Sequence, residues 1–335
     1  MERAPTALRP ASACYFPCFN RHNRQAGGTR SLPFDNRDRH QFRFDAPLLA
    51  PQAAAMTLKS LACVVAGVLA AGAAEAKPLR VLSYNLRYIT SGDKGERAWT
   101  ARRDQAADLI KSDAADIIGI QEGLPQMMDD LADRLSGYAA IGVGREDGID
   151  QGEYAAILVK ADRFRVQDSG TFWLSDTPEI CNSCTWGNTV TRICTWAKLY
   201  DRETKRTFLF FNTHLDHASS EARQRGTELI LSRINQRKGQ GPVILTGDFN
   251  AADNDPLHAA IKAAGFADVW RVANAATPVE ESGTFHEFTG VTNRARIDFI
   301  YATPDSKIVD SSIVRSSLNG NYPSDHFPVR ATLEW

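Results

Sequence analysis

Short apolar runs in this chain end, again and again, in a small cluster of acid, amide or imidazole side chains. The fullest case is Pro242-Val243-Ile244-Leu245, followed by Thr246-Gly247-Asp248-Phe249-Asn250. The run is apolar and β-branched, as a buried strand requires, and the glycine lets the backbone turn where an Asp and an Asn follow. Alone, Gly-Asp-x-Asn also describes an ordinary Asx turn. The same pattern recurs at Ser83-Tyr84-Asn85, Gln121-Glu122, Asn212-Thr213-His214-Leu215-Asp216-His217, Arg296-Ile297-Asp298-Phe299-Ile300 and Ser324-Asp325-His326-Phe327-Pro328-Val329. A rigid sheet that delivers polar side chains from several strand ends is a common way to build a site. The pattern therefore demands a fold in which many strand ends meet.

Between these clusters the chain alternates strands and helices. Alternation predicts strands over 79–84, 116–120, 138–143, 155–160, 192–200, 206–212, 294–301, 308–315 and 327–333. Thr100 is placed to cap a helix over 101–111, Pro125 opens one to about Leu135, Ser219 or Ser220 caps one to about Gln236, and Asp255-Pro256 starts a short one to Ala264. From Phe172 through Asn188 the sequence reads as a long loop. Many strands, hairpin links and intervening helices predict an α/β (α+β) fold, two mainly antiparallel sheets packed face to face with helices outside.

The first 76 of the 335 residues read differently. Met56, Lys59, an apolar run over 61–71 and Ala74-Glu75-Ala76 form a secretory signal pattern. Its apolar part is short for a membrane span, so the protein is expected to be exported, periplasmic or extracellular, with no integral span in the mature form. Residues 1–55, rich in Arg, Pro, Asn and Gln, are disordered or not translated, with Met56 the start. Residues 77–335 form the functional domain, expected to be a monomer. They hold Cys181, Cys184 and Cys194; export makes a local Cys181–Cys184 disulfide the leading expectation, with free thiols the alternative, and Cys194 reads as a buried thiol. The same residues carry 30 Lys and Arg against 35 Asp and Glu, so the domain as a whole does not attract nucleic acid.

From Leu79 to Trp335, in motif identity and order, the chain resembles the endonuclease/exonuclease/phosphatase family. That resemblance implies a four-layer sandwich of two similar halves and a metal-dependent phosphoester hydrolase. Carried over by motif, Glu122 resembles the metal ligand, with Asp325 and Asp248 further candidates, for Mg²⁺ or in its place Mn²⁺. Asp248 also resembles the residue that orients or deprotonates the attacking water. Asn85 and Asn250 look like amides that hold phosphate oxygens, and Arg192 matches a phosphate-contacting arginine. His326 with Asp298, and His214 with Glu153, look like imidazole–carboxylate pairs for general acid–base work. Arg87 stands where the abasic-endonuclease branch carries an acid, which favours a deoxyribonuclease-like arrangement. Trp173, Trp186 and Phe285 through Phe288 are either stacking surfaces or local core.

The expected partner is a phosphoester substrate, with nucleic acid the leading class. The alternatives are lipid head groups or small phosphoesters, which gain from the negative domain charge, and a non-catalytic binding module.

Overall fold

The computed structural model describes residues 77–335, so the readings of residues 1–55 and of the signal segment lie outside the described residues. Strand β1 (Leu79–Asn85) leads through helix α1 (Trp99–Asp113) to β2 (Ile117–Gly123), then α2 (Pro125–Arg134), β3 (Tyr138–Ile141) and β4 (Tyr154–Lys160). The chain continues as β5 (Phe164–Trp173), β6 (Ile193–Asp201), β7 (Arg206–His214), α3 (Ser220–Asn235), β8 (Val243–Asp248), α4 (Pro256–Ala263), β9 (Ala267–Asp268), α5 (Val269–Ala273) and β10 (Asp298–Ala302). It ends as β11 (Lys307–Ile313) and β12 (Val329–Glu334).

These strands make two six-stranded sheets, ordered β11-β12-β1-β2-β4-β3 and β5-β6-β7-β8-β10-β9. Each has one parallel pair at its centre, β1 with β2 and β7 with β8, and is otherwise antiparallel. The two halves thus repeat one topology, as expected.

The central strands are buried on both faces, which is why they read as apolar runs. Val81, Ile117, Phe208, Phe210, Ile244 and Ile300 point between the sheets. Their neighbours point outward: Leu82 and Ile118 toward Ile110 of α1 and Leu131 of α2, and Phe211 and Leu245 toward Ile230 of α3 and Ile261 of α4. The result is the expected four layers.

Polar links join the sheets near the strand ends. Asn212 donates to the carbonyls of Ile120 (2.7 Å) and Ala156 (2.9 Å) and accepts from Gln121 (2.7 Å) and Thr246 (3.0 Å). The approach is so close that a Cβ on Gly119 would lie 2.2 Å from Thr246 Oγ1. Gln121 and Asn212, flagged in the sequence as members of polar clusters, therefore brace the sandwich.

At the opposite end of β2, Arg163 is 5 % exposed and grips Asp116 (2.7 Å) and Asp201 (2.8 and 3.2 Å). Arg163→Ala would leave buried Asp201 without its cation and Asp116 with Lys160 alone, at 3.0 Å, and should cost about 3–5 kcal/mol of stability. Urea unfolding checks this; a loss under about 1 kcal/mol would mean the cluster is well solvated.

Some expectations are corrected. Residues 164–173 form strand β5, hydrogen-bonded along β6. Its middle is polar and exposed, as suits the edge of a sheet, so the apolar signal is missing. Thr100 lies inside the first turn of α1, whose N-cap is Ala98, whereas Ser219 does cap α3 by accepting from the Ala222 amide. Strand β10 starts only at Asp298. Cys181 and Cys184 are not joined in a disulfide. Cys184 Sγ donates to the Asn188 carbonyl at 2.7 Å while Cys181 packs toward Trp173 and Ile193, so the two side chains have separate surroundings. Trp173 and Trp186 are buried, each with its indole N–H satisfied, and belong to the core. No described helix is long and apolar enough to cross a membrane.

Candidate active site

Strand register brings the polar clusters together. Asn85 lies opposite Gln121 on β1 and β2, His214 opposite Asp248 on β7 and β8, and Asp248 opposite Asp298 on β8 and β10. The first sheet supplies Asn85 and Glu122, the second supplies His214, Asp248 and Asp298, and the loop before β12 supplies His326. Two of these residues have left-handed backbones without being glycine: Glu122 (φ 60°) and Asn250 (φ 47°). At Glu122 the β2–β4 register shifts, which turns the carboxylate out of the pleat.

Asp248 is the hub. Asn85 Nδ2 donates to its Oδ2 at 2.8 Å and to Glu122 Oε1 at 3.1 Å, so one amide bridges two carboxylates from different sheets. The Asn250 amide N–H donates to Asp248 Oδ1 at 2.9 Å, and the Tyr88 amide to Glu122 Oε2 at 2.8 Å. Nε2 of His214 and of His326 lie 3.6 and 3.9 Å from Asp248 Oδ2. Burial, reinforced by the Asp298 charge, pushes the Asp248 carboxyl upward.

The two imidazoles differ in charge. Burial opposes the cationic form of His326, but the Asp298 carboxylate, hydrogen-bonded to Nδ1 at 2.8 Å, outweighs it with help from Asp248 and Asp325. The His326 pKa stands well above the usual histidine value, so it is an imidazolium with Nε2–H facing Asp248. Burial, with the nearby Arg192 charge, lowers His214 to about 3, so it is neutral. Its Nε2 accepts from Asn250 Nδ2 at 2.9 Å, which puts the proton on Nδ1. The expected partner Glu153 is 3.6 Å from that nitrogen, beyond hydrogen-bond range, and is held by Arg145 instead.

Ligand atoms of Glu122, His214 and Asp248 lie within 4.8 Å of one another, as do those of Asp248, Asp298 and His326. A hard divalent ion takes carboxylate oxygens and keeps several waters. Glu122 and Asp248 suit it, and the upward push on Asp248 marks buried negative charge that a cation would relieve. Asp325 lies outside both clusters, 3.7 Å from Arg87 Nη1. Arg87 is in turn bound to Asp93 at 2.9 Å. Arg192 is buried beside His214, with Nη2 3.0 Å from Nδ1 of the exposed His217. The Phe285 ring is half-buried, 5.0 Å from that of His326, whereas Phe288 sits under Arg97 and Arg102.

Two arginines escaped the sequence reading. Arg145 sits in a charged stretch that looks like a solvated loop. Arg102 is buried and donates to the carbonyls of Leu86, Arg87 and Pro323, tying the exit of β1 to the loop that carries Asp325 and His326. Only its place on the apolar face of α1 hinted at this role.

Residues 82–326 match the model of the endonuclease/exonuclease/phosphatase family. The chain belongs to this family. Its members are divalent-metal-dependent hydrolases of phosphoesters such as nucleic acids. Among solved structures, a family protein from Bacteroides vulgatus is 35 % identical, covering 77 % of this chain and 99 % of its own, with a TM-score of 0.72. A mannosyl-6-phosphatase from Bacteroides thetaiotaomicron is 33 % identical, covering 77 % of this chain and 100 % of its own, with a TM-score of 0.71. An uncharacterised protein of Acanthamoeba polyphaga mimivirus is 27 % identical over 170 residues, 46 % of this chain. The match spans 60 % of that curated relative's length.

Proposed function

We propose that this family member is an exported, Mg²⁺-dependent phosphoester hydrolase acting as a monomer. The observation that carries this reading is the placement of Asp248. It is a buried base pushed toward protonation, with an imidazolium on one side, a neutral imidazole on the other and the Glu122 carboxylate across the Asn85 amide. Titratable groups whose environments push them apart in this way divide acid from base roles.

In this reading Glu122 and Asp248 would hold the metal, with Asp325 a further candidate ligand. The ion, when bound, neutralises charge on the phosphoryl group and the leaving oxygen. Asp248 orients the attacking water and takes its proton as the oxygen bonds to phosphorus. The His326 imidazolium, held by Asp298, directs Nε2–H at the reacting group and protonates the departing oxygen. Neutral His214, its Nε2 accepting from Asn250 Nδ2, lines the site, with Asn250, Asn85 and Arg192 as the phosphate anchors. Glu153 orients His214 once it is free to do so.

Two substrate classes remain in view. The phosphatase that is 33 % identical along its whole length supports a small phosphomonoester, as does the acidic domain. Nucleic acid is supported by the breadth of the family. The secreted protein, whose intact mass should begin at Lys77, should hydrolyse p-nitrophenyl phosphate or its bis-ester with Mg²⁺ or Mn²⁺. EDTA should stop turnover and added metal should restore it. An EDTA-insensitive rate would remove the metal from the proposal, a mature form retaining residues before Lys77 would count against the Met56 start and the cleavage after Ala76, and a protein kept inside the cell with its signal segment uncleaved would remove the export assignment.

A further inference from the structure

Beside His214 lies a cleft lined by Arg145, Glu153, Thr191 and Arg192. Among the described residues, two buried groups there lack partners. Arg192 is 4 % exposed, yet its Nε and Nη1 meet no acceptor, the nearest carboxylate being Asp216 Oδ2 at 3.6 Å. His214 Nδ1 is also buried and unpaired, 3.6 Å from Glu153 Oε2. The carboxylate that would complete it is gripped by Arg145 through two bonds, Nη1 to Oε2 at 2.7 Å and Nη2 to Oε1 at 2.8 Å.

A guanidinium fork fits a phosphate as well as it fits a carboxylate. The Arg145 backbone is anchored, because Trp173 Nε1 donates to its carbonyl at 2.7 Å, while among the described residues its side chain hydrogen-bonds to Glu153 alone. With the pair closed, the cleft holds about 10 Å³, room for one water molecule. A whole phosphoryl group is larger than that, so it enters only if Arg145 leaves Glu153.

We infer that Arg145 and Arg192 form a two-arginine subsite selective for the terminal phosphate of a phosphomonoester, with Arg145 exchanging Glu153 for substrate and so releasing Glu153 to accept from His214 Nδ1. This rests on the phosphoesterase reading above. A monoester phosphate has three non-ester oxygens and close to two negative charges. A diester has two such oxygens and one charge. The additional oxygen and charge need donors beyond Asn250 and His326, and the two arginines supply them. The exchange also satisfies each unpaired group: the Arg192 N–H atoms gain phosphate oxygens, and His214 gains its carboxylate.

The test is kcat/KM, with Mg²⁺, for p-nitrophenyl phosphate and for bis-p-nitrophenyl phosphate, in the parent protein, Arg145→Gln and Arg145→Lys. The monoester-to-diester ratio should fall about 30-fold in Arg145→Gln, the scale of lost hydrogen bonds to a charged group. Arg145→Lys, which keeps the charge and loses the fork, should fall between. Inhibition by inorganic phosphate should weaken in the same order. A static brace would lower both substrates together, so an unchanged ratio in both variants, or unchanged phosphate inhibition, overturns the subsite. If the parent hydrolyses neither ester with any divalent ion, the phosphoesterase reading itself fails and the subsite with it.

Discussion

His326→Ala should lower kcat on a phosphoester by about 10²-fold or more, the scale of a lost general acid. The side chain is 6 % exposed, and its charge is held by Asp298 at 2.8 Å, so alanine removes the one cationic proton donor facing Asp248. KM should change much less, because the imidazolium contributes to bond breaking more than to binding. Circular dichroism of the variant should match the parent, since the ring borders the site. A rate within about threefold of the parent would show that the departing oxygen finds its proton elsewhere.

Asp248→Asn should be more damaging, by about 10³-fold in kcat, because in the proposed mechanism one carboxylate serves both as base and as metal ligand. Asparagine can still accept from Asn85 but cannot take a proton from water. Excess Mn²⁺ should not restore the rate. The sharper expectation concerns the double variant. Asp248 and His326 approach to 3.9 Å and in the proposed mechanism act on the same phosphorus, so removing both should cost little more than removing Asp248 alone. Full additivity would mean the two residues work in separate steps, and the shared site would have to be redrawn.

The site was legible to different depths. The carboxylates, amides and imidazoles are marked by type and place, because each follows an apolar run that must be a strand. The pairing of His326 with Asp298 could be read by motif, and the structure places them in direct contact. The pairing of His214 with Glu153 was half legible. Both residues are in place, but Arg145, eight positions upstream of Glu153, holds that carboxylate. Nothing in an Arg-Glu-Asp-Gly stretch distinguishes a half-buried fork from a solvated loop. Asp325 carries the right motif too, yet Arg87 draws it away from the Glu122 cluster. Strand β5 was missed for a related reason: an edge strand with a polar middle has no apolar period to detect.

The sequence by itself determined the layers and the residue types at the strand ends, because burying both faces of a strand dictates which positions are apolar; the class of chemistry came from the family that those motifs resemble. Tertiary structure alone decided which of two imidazoles is charged and which carboxylate is free. Those depend on desolvation and on charges that arrive from distant segments: Asp298 beside His326, Arg192 beside His214, Arg145 on Glu153. Electrostatic energy depends on distance through space, and a linear order of residues does not contain it.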